Sequence, residues 1–137
     1  MASESGKDGV PASKRLKLGL VLYTGPSTSH FSLGIELAKA ALRSGYDVDM
    51  FAWGDAVYGT KTVDQVPPAA EPAVSEVLRL AGAMDKGEPA LSLRVCTSCC
   101  KTRDISQERL LPGVRLGGTH NIVGMLQECD RTVVLVP

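Results

Sequence analysis

The sequence predicts an α/β fold: a single domain with a doubly wound, mainly parallel five-stranded sheet and helices on both faces. Short apolar runs alternate with segments of helical periodicity along nearly the whole chain. This alternation is typical of parallel sheets built from strand–helix–strand units. The 137 residues are enough for one domain with its own core, and 44% of them are hydrophobic, an ordinary fraction for a globular protein.

The chain begins with a polar segment. Residues 1–15 contain Gly, Pro, Ser and charged side chains, so we predict a disordered tail, followed by one folded domain over residues 16–137. The tail lacks the apolar centre of a signal peptide, and no apolar run approaches the length of a membrane span. These observations favour a cytoplasmic protein that does not bind membranes. Basic and acidic residues number 15 each, so the charge gives no indication of direct nucleic-acid binding.

The first predicted unit is strand–helix–strand. KLGLVLY at 17–23 is nearly continuous in apolar residues, as in a strand buried on both faces. A helix is predicted over roughly 30–44, because its charged residues form one narrow stripe at helical spacing. YDVDMFAW at 46–53 alternates apolar with acidic residues, which predicts a strand nearer an edge of the sheet. Such a short unit requires a right-handed parallel crossover.

The second half of the chain supplies the remaining elements. The segment 54–70 contains a double proline and is long enough to be a lid or a contact surface. A helix is predicted from about 72 to 84. The other predicted elements are the strands LSLRV (91–95), VRLGG (114–118) and TVVLV (132–136) and a helix over 119–128.

Cys96 is the strongest candidate for chemistry. It directly follows the third predicted strand, and ligands of open parallel sheets bind beyond the carboxyl ends of the strands. The segment 97–103 is expected to start a helix, whose unpaired N–H groups favour a thiolate, the nucleophilic form of cysteine. Lys101 and Arg103 add positive charge nearby and are candidates for binding an anionic sulfur compound.

Cys99 and Cys100 lie three and four residues after Cys96, a spacing that allows both to face it from a helix and to reach it in a disulfide. Either would resolve a persulfide on Cys96 or protect it as a disulfide, or would only pack; between the two we slightly prefer Cys100. The interval Cys96-x-x-Cys99 also occurs in zinc sites, but a second such pair is absent and no metal site is predicted. A thioredoxin-like dithiol stays open as an alternative.

Two histidines and the remaining cysteine complete the candidates. His30 follows the first strand and is expected at the same sheet edge as Cys96, where it is a candidate for binding an anion or assisting proton transfer. His120 would reach the same edge, although a structural role is favoured for it, and Cys129 is most simply a core thiol. The loop TGPSTSH lacks the glycine patterns of nucleotide-binding loops, and no cofactor is predicted.

The run LSLRVCTSCCKTRDI resembles the DsrE/DsrF-like (TusD-like) family of sulfurtransferases and sulfur carriers, in which a strand ends in a reactive cysteine and a basic helix follows. KLGLVLYTGP…SLGIELAKAALRSGYDVDMFAWGDAV is similar to the opening half of that family, and LPGVRLGG…VGMLQECDRTVVL to its closing half. By this resemblance Cys96 matches the sulfur-accepting cysteine and Arg103 a basic residue of the following helix. Cys99, Cys100 and Asp104 depart from the family pattern of small apolar residues and glycine.

The resemblance implies a cytoplasmic protein that accepts sulfane sulfur or thiosulfonate on Cys96 and passes it to an acceptor thiol. It also implies sulfur donor and acceptor proteins, or small sulfane-sulfur compounds such as thiosulfate, and a homo- or hetero-oligomer, commonly a trimer or hexamer. Two alternatives stay open. One is a non-catalytic subunit of a sulfur-relay complex; the other is a thiol redox switch that uses Cys96 with Cys99 or Cys100.

Overall fold

The computed structural model describes residues 15–62 and 74–136 and shows strands and helices in strict alternation there. The strands are β1 (Lys17–Leu22), β2 (Asp47–Ala52), β3 (Leu91–Cys96), β4 (Val114–Gly117) and β5 (Arg131–Leu135). The α-helices are α1 (Ser29–Arg43), α2 (Ser75–Gly82), α3 (Thr97–Thr102) and α4 (Thr119–Glu128). Residues 1–14 of the predicted tail, residues 63–70 of the predicted 54–70 loop and the predicted start of the second helix lie outside the described residues.

The strands form one five-stranded sheet in the order β4-β3-β2-β1-β5, with every pair parallel. From β1 to β4 the chain steps in one direction across the sheet, and from β4 it returns to β5 at the other edge. Because parallel crossovers are right-handed, the return connection has to cover the opposite face. The observed order therefore confirms the predicted doubly wound α/β fold with helices on both faces.

The sequence prediction for β2 was wrong in one respect: β2 lies in the centre of the sheet, paired with β1 and β3, and not near an edge. Its acidic residues point to the sheet face that α4 covers only in part. There the carboxylate of Asp49, only 14% exposed, lies 4.0 Å from the guanidinium of Arg94 on β3. The polar alternation of β2 thus reflects an incompletely covered face rather than an exposed edge.

Alternate residues of β1 belong to two separate cores. Leu20 and Leu22 pack in the larger cluster, together with buried residues of α1 such as Phe31. Val21, between them in sequence, belongs to a smaller cluster on the other face that contains Met125 of α4 and Cys96. This alternation of side chains along each strand explains how a small sheet supports a helical layer on both sides.

The start and the approach angle of α1 are determined by two local features. The Thr28 hydroxyl caps the helix by accepting a hydrogen bond from the Phe31 amide at 3.2 Å. Gly34 lets the helix lie close to the sheet, because a Cβ added there would collide with the side chain of Leu22 and would come 2.8 Å from Leu135 Cδ1. The helix is thus held against both β1 and β5.

We expect Gly34→Ala to destabilise the fold by about 1–3 kcal/mol, the usual cost of overpacking a core, although alanine is the better helix former. Urea unfolding followed by circular dichroism measures the change in the free energy of unfolding. Gly82→Ala is the matched control, since an added Cβ on α2 would meet nothing within 4 Å. A Gly34→Ala protein as stable as the Gly82→Ala protein would contradict the close packing of α1.

Candidate functional site: the thiol at the end of β3

Cys96 is the last residue of β3 and also the N-cap residue of α3. Its Sγ accepts a hydrogen bond from the Cys99 amide at 3.4 Å, and it lies 3.2 Å from the Ser98 hydroxyl oxygen. The Thr97 hydroxyl donates to the Gly117 carbonyl at 2.9 Å and so ties the start of α3 to the end of β4. The thiol is therefore held at the carboxyl edge of the sheet, where the sequence predicted it.

The surroundings of Cys96 lower the pKa of its thiol below the ordinary value. Burial is the largest single influence and acts in the opposite direction, since only 3% of the residue is exposed. Hydrogen bonds from the Ser98 hydroxyl, the Cys99 thiol and the two backbone amides of these residues together outweigh it. Donors that point at the sulfur favour the thiolate, which is the nucleophilic form.

Cys99 and Cys100 lie in different surroundings although they are adjacent in sequence. Cys99 is half-buried and packs against both the larger core and the small cluster that contains Cys96, and its Sγ accepts a hydrogen bond from the Gly54 amide at 3.2 Å. Burial, followed by the contact with Cys96, raises the pKa of the Cys99 thiol. Cys100 is 2% exposed in the larger core, where burial and then the neighbouring cysteines raise its pKa to about 11. The structure thus brings Cys99 against Cys96 and places Cys100 in the larger core.

Cys96 lies on the wall of an open cavity of about 340 Å³ between the ends of β3 and β4. The residues that line it have small side chains or none, apart from one lysine and one histidine. The lining residues are Cys96, Thr97, Ser98, Lys101, Gly117, Gly118, Thr119 and His120. Of the predicted anion-binding residues, only Lys101 is in this cavity. His120, for which the sequence favoured a structural role, is there as well.

Arg103 and His30 line a second cavity, of about 490 Å³, at the ends of β1 and β2. Arg103 Nη2 makes an ion pair with Asp55 at 2.9 Å, and its Nη1 donates to the Cys99 carbonyl oxygen at 3.2 Å. The guanidinium also lies 5.9 Å from the centroid of the Tyr58 ring, within the range of a cation–π contact. Arg103 is therefore held by several partners and joins α3 to the 3₁₀-helical segment Gly54–Thr60.

Sequence reasoning did not identify two contributors to the site. From the sequence pattern, Ser98 is an exposed residue of a helix. Its hydroxyl reaches Cys96 because the chain turns into α3 directly after β3. Gly54 is 45 residues away from Cys99 along the chain, and its amide contact needs the central position of β2. The sequence signal for Gly54 was a glycine at the end of a strand. In the structure Gly54 adopts a φ of +62°, a conformation that favours glycine.

Three negative findings hold for residues 15–62 and 74–136. All four cysteines lie within these ranges, and all are free thiols. These ranges contain no group of three or more His, Cys, Asp or Glu side chains arranged to hold a metal ion. Nor do they contain a helix with the length and apolar character needed to cross a bilayer.

The fold and the site define a small α/β protein with a hydrogen-bonded thiol at the carboxyl edge of its sheet. The chain belongs to the DsrE/DsrF-like family, whose model matches residues 17–135. Membership of this family indicates a role related to sulfur relay. The relation suggested by the run around Cys96 is thereby confirmed at the level of the family.

Three relatives illustrate the similarity. Protein MJ0989 of Methanocaldococcus jannaschii, named as uncharacterized, is 29% identical over 99 residues, which are 72% of this chain and 81% of that protein. The solved ychN protein from E. coli superposes with a TM-score of 0.68 at 22% identity and covers 87% of this chain and 98% of its own. MTH1491 from Methanobacterium thermoautotrophicum superposes with a TM-score of 0.67 at 15% identity, and the match covers 87% of this chain and 98% of MTH1491. Both structural similarities concern the fold.

The hydrogen bonds around Cys96 predict how its reactivity depends on pH. We expect the rate of alkylation of Cys96 by iodoacetamide, resolved by peptide mapping, to rise at a lower pH than that of an ordinary cysteine. Ser98→Ala removes one donor and should shift this profile to higher pH, whereas Ser106→Ala changes an exposed serine elsewhere and should not. Identical profiles for the parent and Ser98→Ala would show that Ser98 does not stabilise the thiolate.

Proposed function

We propose that this protein is a cytoplasmic sulfur carrier or sulfurtransferase that accepts sulfane sulfur or thiosulfonate on Cys96 and passes it to an acceptor thiol. The observation that carries the proposal is the set of hydrogen-bond donors that converge on Cys96 Sγ beside an open cavity. This arrangement favours a thiolate that a small sulfur compound can reach. Family membership supports sulfur, rather than a carbonyl or phosphoryl group, as its reaction partner.

In the proposed loading step the Cys96 thiolate attacks the outer sulfur of a persulfide donor. A bond forms between Cys96 Sγ and that sulfur, the sulfur–sulfur bond of the donor breaks, and the donor thiolate leaves with the electron pair. With thiosulfate the leaving group is sulfite. With tetrathionate it is thiosulfate, and Cys96 then carries a thiosulfonate. An acceptor thiolate later attacks the sulfur that is bonded to Cys96 Sγ, and the Cys96 thiolate leaves with the electron pair.

Two other residues of the cavity support this chemistry. Lys101 is exposed at the cavity and provides a positive charge for anionic donors such as thiosulfate. His120 lines the same cavity at the start of α4, where its imidazole would protonate a leaving thiolate. In the second cavity Arg103 and His30 are candidates for contacts with the acceptor, while the ion pair of Arg103 with Asp55 orients α3.

Partner proteins and an oligomer belong to the same proposal. On α4 the side chains of Val123 and Leu126 are 54% and 61% exposed, and Val134 on the edge strand β5 is 52% exposed. Exposed apolar side chains on an outer helix and an edge strand are typical of surfaces that bind other proteins. We propose that donor or acceptor proteins, or further copies of this chain, cover this surface.

Loss of Cys96 should abolish sulfur loading. We expect the reduced parent protein to gain sulfur on Cys96 after reaction with polysulfide or thiosulfate, as seen by intact mass and peptide mapping. Cys96→Ser should gain none, because the remaining cysteines have raised pKa values. Cys129→Ser is the control, because it makes the same exchange at the cysteine that follows α4, and it should load like the parent. Unchanged loading of Cys96→Ser would contradict the carrier function and favour a non-catalytic subunit.

The charge of Lys101 should matter for anionic donors in particular. We expect Lys101→Gln to reduce the rate of loading from thiosulfate by about fivefold, which corresponds to about 1 kcal/mol of lost ion pairing. Loading from an uncharged alkyl persulfide should change much less, and added salt should remove the difference for thiosulfate. Lys86→Gln changes an exposed lysine outside the cavity and serves as the control. Equal effects on both donors would contradict a role of Lys101 in anion binding.

A further inference from the structure

Cys99 has a sulfur environment that the loading step does not use. Its backbone amide donates a hydrogen bond to Cys96 Sγ at 3.4 Å, and its side chain packs against the small cluster that contains Cys96. On its other side the Cys99 sulfur accepts a hydrogen bond from the Gly54 amide at 3.2 Å. The sulfur atom thus lies between the reactive thiol and a backbone donor that stabilises negative charge on it.

The two other cysteines lack this arrangement. Cys100 is in the larger core, away from the small cluster to which Cys96 and Cys99 contribute. Cys129 follows α4 and lies next to Gly19 of β1, where an added Cβ would come 3.0 Å from its sulfur. Within residues 15–62 and 74–136, therefore, Cys99 is the one cysteine that both contacts Cys96 and accepts a hydrogen bond from a backbone amide outside its own helix.

We propose that Cys99 is a resolving cysteine, which attacks the Cys96 persulfide, closes a Cys96–Cys99 disulfide and releases the outer sulfur as hydrosulfide. This inference rests on the proposed loading of Cys96 and adds a second outcome to it. A sulfur atom on Cys96 either passes to an acceptor thiol or leaves as sulfide through Cys99.

The step balances without an external oxidant. The loaded Cys96 carries an ionised outer sulfur, and the Cys99 thiol transfers its proton to that atom. The Cys99 thiolate, which the Gly54 amide stabilises, then attacks Cys96 Sγ. A bond forms between the two cysteine sulfurs, the bond to the outer sulfur breaks, and hydrosulfide leaves with the electron pair. The outer sulfur is reduced and the Cys99 sulfur is oxidised, while Cys96 Sγ keeps the oxidation level that it reached on loading.

The protonation states in the unloaded protein suit this order of events. Burial and then the contact with Cys96 raise the pKa of the Cys99 thiol, whereas the pKa of the Cys96 thiol is lowered, so the thiolate forms first on Cys96 and Cys96 meets the donor first. After loading, the negative charge lies on the outer sulfur, one atom further from Cys99, and the Cys99 proton has an acceptor. A second round requires two equivalents of a thiol reductant to open the disulfide, and a dithiol meets this need.

The test is a single turnover without reductant. The reduced protein is mixed with a limiting amount of an alkyl persulfide, and released sulfide is trapped with bromobimane while the protein is examined by intact mass and non-reducing peptide mapping. We expect the parent to release one sulfide for each sulfur loaded and to yield a peptide joined through Cys96 and Cys99. Cys99→Ser should lose sulfide release and accumulate the persulfide on Cys96.

Cys100→Ala is the matched control, because it removes the neighbouring thiol and should release sulfide like the parent. Cys96→Ser should neither load sulfur nor release sulfide. A parent that keeps a stable persulfide on Cys96, as Cys99→Ser does, would overturn the resolving role and leave the carrier function standing. Absence of sulfur on Cys96 in both the parent and Cys99→Ser, without sulfide release, would instead overturn the proposed function itself.

Discussion

The right-handed parallel crossover is the constraint on which the rest of the structure depends. Three successive crossovers step from β1 to β4 and so place α1, α2 and the α3 segment on one face of the sheet. The fourth returns to β5 and places α4 on the other face. Each strand ends at the same edge of the sheet, and every loop that lines the two cavities starts there.

The helices cover the two faces of the sheet to different extents, and the candidate site lies on the less covered face. The larger core contains nearly all of the fully buried aliphatic side chains and secures the fold. The smaller core, under α4 alone, holds Cys96 at the end of β3 beside an open cavity. Cys96 and Cys100 are similarly buried, at 3% and 2% exposed, so burial alone does not separate them. Hydrogen-bond donors lower the pKa of Cys96, whereas burial and then the neighbouring cysteines raise the pKa of Cys100 to about 11.

Much of the fold was predictable because it depends on local patterns. Buried parallel strands read as short apolar runs, and the limits of α4 were predicted at Thr119 and Glu128, where the structure has them. The central position of β2 was not predictable in the same way. Its acidic residues suggest an edge, whereas Asp49 is accommodated inside the sheet by Arg94, a partner that is 45 residues distant in sequence.

In the candidate site, too, the features that depend on local sequence were predictable and those that depend on the arrangement of the strands were not. The position of Cys96 follows from the end of an apolar run, which is local information, and the sequence predicted it. Arg103 and His30 line a different cavity from Cys96, because the residues that share a cavity depend on which strand ends are neighbours in the sheet. The order of the strands could not be predicted from the local sequence. The sequence placed Cys99 and Cys100 as equal neighbours of Cys96 on a helix, whereas in the structure Cys100 is buried in the larger core and Cys99 packs against both cores.

The helical geometry of α3 explains how three cysteines within five positions acquire three different chemical characters. One helical step of about 100° separates Cys99, which is half-buried against both cores, from Cys100, which is buried inside the larger core. Cys96, which precedes the helix, receives the amide and hydroxyl donors of the first turn. Since each pKa follows from the donors and the burial at one sulfur, the order of reactivity is a property of the β3–α3 junction. In the proposed chemistry, one short cluster of cysteines would thus supply the nucleophile, the resolving partner and a core residue.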